Sequence, residues 1–294
     1  MIKRVGILRG GIGEHYESSI KRGGKMLSYF LEYLSDKWKP VDIFVDKDGV
    51  WHMAGRPIAP ADLMHQLDVV WNESHPSLSQ CLRELSIPQV TAPHFGHGIS
   101  KSREMLREHI KEMEWVKIPK HIVLPAYQED IDSNPDKYAI KYARKVFEKF
   151  PGPLMVKANA IHVARMFPEL VGAIYDGARN GKNIMVEELI VGKEATVHSV
   201  AGFRGDSIYI FSPKNLSREE KERLEGLVKE LHSHLGVKHY LKSDFVMHPN
   251  GGAYLLNIDF SLDLSPGSSF SQACELVGAK PPSVIEHMLE SALQ

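Results

Sequence analysis

Short apolar runs and amphipathic segments take turns through the first third of the chain, and that alternation constrains the fold more than any other feature. Val5-Gly6-Ile7-Leu8 is a strand-like run, and a pattern of helical period follows over 18–34, with Met26, Leu27, Phe30, Leu31 and Leu34 on one stripe. Val41-Asp42-Ile43-Phe44-Val45 predicts a second strand, and the Asp46-Lys47-Asp48-Gly49 turn leads into a short hairpin. Leu67-Asp68-Val69-Val70-Trp71 predicts a third strand, 77–85 a helix, and Ile87-Pro88-Gln89-Val90-Thr91 a fourth strand. Strand–helix–strand order with short connections builds a parallel sheet covered by helices.

Beyond residue 100 the pattern changes. A charged helix is expected over 100–114, an extended segment over 120–125, and an amphipathic helix over 140–150 that ends before Pro151. Gly152-Pro153-Leu154-Met155-Val156-Lys157 is a turn and a strand that ends in a lysine. A helix is expected over 167–179, with strands over 183–189, 195–203 and 206–211. Ser217, with Glu220 three residues on, forms a capping box for a long helix to Leu235. The segments 240–248 and 252–259 predict a hairpin around Pro249-Asn250-Gly251, and 283–293 a last helix. This divides the chain into a first domain over 1–95 and two further lobes over 96–190 and 191–294.

Length and charge narrow the function. At 294 residues the chain can bury a sizeable core without staples. Its 36 basic and 37 acidic residues leave a net charge of -1, which argues against a strongly basic nucleic-acid binder. No apolar run approaches the roughly 20 residues that cross a bilayer, and the start lacks a signal peptide's apolar core, so no membrane is expected as a partner. Cys81 and Cys274 stand in no metal or redox spacing and read as small buried hydrophobes in a reduced, cytoplasmic compartment.

Gly10-Gly11-Ile12-Gly13, straight after the first strand, is either a tight strand-to-helix turn or a loop whose N–H groups approach a phosphate or carboxylate. It matches neither the dinucleotide fingerprint nor the Walker lysine spacing. Asn257 and Asp259 share a face of one otherwise apolar strand, and with Asp244 on its neighbour they could converge on a hard cation, or line a solvated face. Lys157 is either a charge aimed at phosphates or a snorkelling surface lysine. Arg103 and Arg107 lie one turn apart on a charged helix. The histidines, 15 in all, show no zinc ligand spacing.

Four stretches together resemble the D-alanine–D-alanine ligase family of the ATP-grasp superfamily. They are Val5-Gly6-Ile7-Leu8-Arg9-Gly10-Gly11 with Glu14, Glu17 and Ser19; Pro153-Leu154-Met155-Val156-Lys157; Ile184 to Val197, with its Gly192-Lys193-Glu194-Ala195-Thr196 run; and Ser243-Asp244-Phe245-Val246 with Asn257-Ile258-Asp259 and Ser265-Pro266-Gly267. The resemblance implies a Rossmann-like parallel α/β (pre-ATP-grasp) domain followed by a two-lobed ATP-grasp domain of mixed α/β and α+β structure. It implies ATP and Mg²⁺, with Lys157 and Arg103 near the phosphates and Glu187, Glu188, Leu189, Ile190 and Glu194 around the adenosine. It further implies Asp244, Asn257 and Asp259 as metal ligands, Glu14, Glu17 and Ser19 orienting the first substrate, and Lys242 steadying the transferred phosphate. The activity implied is a carboxylate–amine ligase that joins amino acids or short peptides through an acyl-phosphate for peptidoglycan precursor synthesis, as a homodimer.

The chain also departs from the family. Lys157 is followed by Ala158-Asn159-Ala160 where the family carries a glycine- and serine-rich loop, and Phe203-Arg204-Gly205-Asp206-Ser207 is a tight turn where the family has a long covering loop. Asn72-Glu73-Ser74-His75-Pro76 replaces a His-Gly-rich loop, Lys242 replaces an arginine, and Asn257-x-Asp259 replaces Glu-x-Asn. Lids keep water from an acyl-phosphate, so trimmed lids leave open a second reading: a relative that kept the fold as a nucleotide-binding or interaction module.

Overall fold

The computed structural model describes residues 2–13, 15–125, 134–150, 152–158, 160–179 and 183–294. In chain order the elements are β1 (Lys3–Gly10), α1 (Tyr16–Tyr33), β2 (Trp38–Val45), β3 (Trp51–Met53), β4 (Arg56–Ile58), β5 (Val69–Asn72), α2 (Pro76–Glu84), β6 (Gln89–Val90), α3 (Gly96–Lys101), α4 (Arg103–His109), β7 (Val116–Lys117) and β8 (His121–Leu124). There follow α5 (Pro135–Lys149), β9 (Leu154–Lys157), β10 (Ile161–Ala164), α6 (Phe167–Arg179), β11 (Ile184–Glu188), β12 (Lys193–Ala201), β13 (Ile208–Phe211), α7 (Arg218–His234), β14 (Tyr240–Met247), β15 (Ala253–Asp259), α8 (Ser269–Leu276) and α9 (Pro281–Ala292). They form two compact units. The first comprises Met1–Val116, Glu194–Phe245 and Asn257–Gln294; the second comprises Lys117–Lys193 and Val246–Leu256.

In the first unit the alternation produces the expected sheet. Its order is β4-β3-β2-β1-β5-β6, parallel from β2 through β6, with β3 and β4 folded back as an antiparallel edge hairpin. Both faces are covered, as a parallel sheet requires. Val5, Ile7, Val69 and Trp71 pack with Met26 and Phe30 of α1, while Leu8, Ile43, Val45 and Val70 pack with Leu82 of α2 on the other side. Period-two alternation sorts neighbouring residues of one strand onto opposite cores. Gly10 ends β1 with φ +89°, and a Cβ there would lie 2.1 Å from the Val45 carbonyl oxygen, so only glycine fits the turn.

A five-stranded sheet, β13-β12-β14-β15-β7, follows. The capping box is made as expected: the Ser217 hydroxyl accepts from Glu220 N at 3.2 Å, and the Glu220 carboxylate accepts from Ser217 N at 2.7 Å. The resulting helix, α7, buries Leu224, Leu227, Val228 and Leu231, and its His232 meets Ser199 of β12 at 2.8 Å. The second unit is an antiparallel sheet, β10-β9-β11-β8, whose Leu154, Val156, Val186 and Leu124 form one core with α5 and α6.

Two local expectations need correction, and two elements appear that the sequence pattern did not indicate. The helix expected over 100–114 is two helices broken at Ser102, whose extended backbone (φ -114°, ψ 119°) ends α3 and whose hydroxyl accepts from Met105 N to start α4. A serine offers the backbone this alternative and so favours a cap over a helix interior. The stretch after Lys157 returns as a strand, β10, paired antiparallel to β9. Ser268 caps a helix, α8, that periodicity did not indicate. Cys274 is buried, and burial pushes its thiol up to about 12, but Cys81 is only half-buried.

Candidate active site

One face of the five-stranded sheet changes from apolar to polar along its strands. On β12 the residues of that face run Val200, His198, Thr196, Glu194, from buried to exposed. The Thr196 hydroxyl donates to the Asp244 carboxylate at 2.7 Å, and the His198 Nδ1 lies 2.7 Å from the Tyr240 hydroxyl, so β14 presents Tyr240, Lys242 and Asp244 on the same face. Lys242 Nζ stands 3.3 Å from Asp244, each about three-quarters buried. On β15, Ile258 turns into the core while Asn257 and Asp259 turn outward from it. Burial, then the Asp259 and Asp244 carboxylates, hold the Tyr240 hydroxyl well above its usual pKa, so both carboxylates act on one point.

This donor set suits a hard cation shared with a ligand. Asp244 and Asp259 supply carboxylate oxygens and Asn257 an amide oxygen, and the Asp244 side chain is already held by Thr196. Among the described residues no three His, Cys, Asp or Glu close into a protein-only metal cage. A magnesium ion needs no such cage; it is held by one or two carboxylates plus phosphate oxygens and water. Glu194, at the exposed start of β12, lies on the face that carries them.

The second unit holds the other expected nucleotide residues. Lys157 ends β9 opposite Met185, and its ammonium is ion-paired with Glu187 on the same sheet face. Glu187 is 2% exposed, so its charge is tolerated there because a cation neutralises it. Glu188, Leu189 and Ile190 leave the strand half-buried, with Glu188 N donating to the Lys120 carbonyl and Leu189 N to the Pro153 carbonyl.

The remaining expected residues are in the first unit. Ser19 is fully buried in α1, and its hydroxyl accepts the Gly10 N–H at 2.8 Å, which fixes the glycine turn. Glu17 is exposed and 3.4 Å from Lys47. Glu14 lies outside the described residues. Arg103 begins α4, half-buried, directly after the Ser102 cap.

Sequence reasoning missed a second polar group, at the carboxyl-terminal edge of the parallel sheet. Glu73 follows β5 and is 6% exposed; Trp71 Nε1 donates to one of its oxygens at 2.8 Å and Arg22 Nε to the other at 3.0 Å. Desolvation holds its carboxyl above the usual range, against the pull of Arg22. The signal was present: an acid directly after the buried run Val69-Val70-Trp71-Asn72 needs a partner. A cavity of about 70 Å³ opens beside it, lined by Arg22, Glu73, Thr91, His97, Tyr240 and Asp259 among others. Ligands of open α/β sheets bind at this edge.

Comparison with known proteins shows what the chain is similar to. The chain is 23% identical over 325 residues to the D-alanine–D-alanine ligase of Desulforudis audaxviator, a match that covers 99% of each chain. Its fold superposes on D-alanyl-alanine synthetase A from Vibrio cholerae with a TM-score of 0.72 at 15% identity, covering 99% of this chain and 98% of that one. The D-alanine–D-alanine ligase of Bacillus anthracis, solved with ATP, gives a TM-score of 0.67 at 17% identity, covering 99% and 97%. No family model matches the chain.

The fold is therefore that of these D-alanine–D-alanine ligase structures, along nearly the whole length of the chain. In sequence the chain is similar, at 23% identity along nearly its whole length, to a D-alanine–D-alanine ligase. No helix among the described residues is long and apolar enough to cross a membrane.

Proposed function

We propose that this protein is an ATP-dependent carboxylate–amine ligase of the D-alanine–D-alanine ligase kind, making a peptide bond for peptidoglycan precursors. The γ-phosphoryl group passes to a substrate carboxylate oxygen, which gives an acyl-phosphate and ADP. A second substrate's amine attacks the acyl carbon, phosphate leaves with the oxygen it gained, and the amine loses a proton. Mg²⁺, when bound, neutralises phosphate charge. Asp244, Asn257 and Asp259 are the residues that hold it, and Thr196 keeps Asp244 oriented. Lys242, on the same sheet face, supplies the positive charge for the phosphoryl oxygens, as a point charge in place of a guanidinium fork. Lys157 serves the nucleotide phosphates, with Glu187 holding its ammonium in place. Glu188, Leu189, Ile190 and Glu194 serve the nucleoside, Arg103 the phosphates and Glu14 the first substrate, while the buried Ser19 acts only through the Gly10 turn it fixes. The protein's contribution is position and electrostatics rather than covalent chemistry.

The observation that supports this reading best is the polar end of the β12–β14–β15 face, where two carboxylates, an amide and a lysine stand on an otherwise apolar sheet. The test is phosphate release by purified protein with ATP, Mg²⁺ and D-alanine, with mass spectrometry for the dipeptide. Turnover that needs all three components is expected. A protein that binds nucleotide but releases no phosphate with any amino acid or short peptide would instead be the non-catalytic relative.

A further inference from the structure

Three histidines from separate connections meet at the carboxyl-terminal edge of the parallel sheet. His15 is the residue before α1, His75 the residue before α2, and His97 lies in α3. The rings of His15 and His75 stack 6.1 Å apart, and those of His75 and His97 are 5.7 Å apart. His15 Nε2 is hydrogen-bonded to His97 Nε2. Lys101 Nζ lies 2.7 Å from His15 Nδ1, against 3.4 Å from its Nε2.

The direction of these bonds is fixed by chemistry. An ammonium has three donors and no acceptor, so His15 Nδ1 accepts from Lys101 and a neutral His15 carries its proton on Nε2. That proton is donated to His97 Nε2, which leaves the proton of a neutral His97 on Nδ1. His97 is neutral: burial, with His15, Lys101, His75 and Arg22 around it, holds it down at about 4. Among the described residues nothing hydrogen-bonds its Nδ1. His97 lines the cavity that also holds Asp259, Glu73 and Arg22, and the Arg22 guanidinium there is already bonded to Glu73.

We infer that Lys101 and His15 are positioning residues that lock His97 as a fixed Nδ1–H donor, and that this donor binds a carboxylate oxygen of the first substrate in the cavity beside Asp259. The second half rests on the proposed ligase reading, because a carboxylate awaiting phosphorylation must lie next to the metal ligands. The first half stands without it. A neutral imidazole with one assigned proton orients a carboxylate without forming a competing ion pair that would have to break when the carboxylate becomes an acyl-phosphate. No acid or base step is asked of it.

The test is ¹⁵N–¹H long-range correlation of protein labelled in its histidine rings, with His97 assigned from His97→Asn. The neutral, Nδ1-protonated pattern is expected for His97 at pH 7 in the wild type, with a shift toward a mixed-tautomer pattern in Lys101→Met. An Nε2-protonated His97, an imidazolium, or a His97 signal unmoved by Lys101→Met would overturn the relay. Added D-alanine is then expected to shift the His97 Nδ1 resonance; no shift at saturating D-alanine in a protein that ligates it would overturn the substrate contact. In the ligation assay His97→Leu is expected to raise KM for D-alanine about tenfold with kcat nearly unchanged, and His97→Asn, which keeps an N–H near the Nδ1 position, to recover part of the loss. A wild type that shows the relay yet never consumes ATP would defeat the ligase reading and the substrate contact and leave the relay standing. An unchanged KM in His97→Leu would defeat the substrate contact alone.

Discussion

Asp244 and Lys157 show how differently two charged residues can be held. Asp244 is partly open, hydrogen-bonded to Thr196 and 3.3 Å from Lys242. Asp244→Asn keeps the shape and a hydrogen-bonding oxygen but removes the charge, so kcat is expected to fall about a hundredfold or more while the thermal midpoint stays within about 2 °C, read by phosphate release and calorimetry. Lys157 neutralises the buried Glu187, so Lys157→Met strips a carboxylate of its cation and is expected to cost about 2–3 kcal/mol in urea unfolding, besides weakening ATP binding. Asn257 and Asp259 were legible as candidates because polar side chains two apart on an apolar strand share a face and must be satisfied. The His97 relay was not: His15 and Lys101 are 86 positions apart, and no periodicity links residues that meet only because two connections end at one sheet edge.

At the scale of elements, caps decided what periodicity left open. Ser217 with Glu220 announced α7 in the sequence and is made as expected. Ser102 was read through, because Met105, Leu106 and Ile110 carry a helical stripe directly after it, yet it both ends α3 and caps α4. Ser102→Ala and Ser217→Ala are each expected to cost about 1 kcal/mol in urea unfolding, with Ser102→Thr and Ser217→Thr recovering most of it. β10 escaped notice because four residues are too few for alternation to stand out, and α8 because its apolar stripe is short. The parallel sheet was legible, since apolar strand runs alternate with helical segments, but the spatial order β2-β1-β5-β6 was not, because alternation along the chain does not say which strands become neighbours.

At the scale of the whole molecule, the first unit buries neutral histidines. His198, His232 and His239 are each held at about 4, below the ordinary 6.5, chiefly by desolvation. The unfolded chain binds their protons first as pH falls, so the stability they contribute is complete above about pH 6.5 and is lost progressively down to about pH 4. Each contribution is of the order of a few kcal/mol, and His239→Gln is expected to flatten the loss between pH 6.5 and 4, seen as a smaller drop in urea midpoint. Above them stands the claim that the polar sheet face serves phosphoryl transfer to a carboxylate. It is tested by supplying D-alanine with both carboxylate oxygens as ¹⁸O, together with unlabelled ATP, and weighing the phosphate released. One ¹⁸O per phosphate is expected, carried across when the amine displaces it. Phosphate that carries no label, or no phosphate at all, would contradict it.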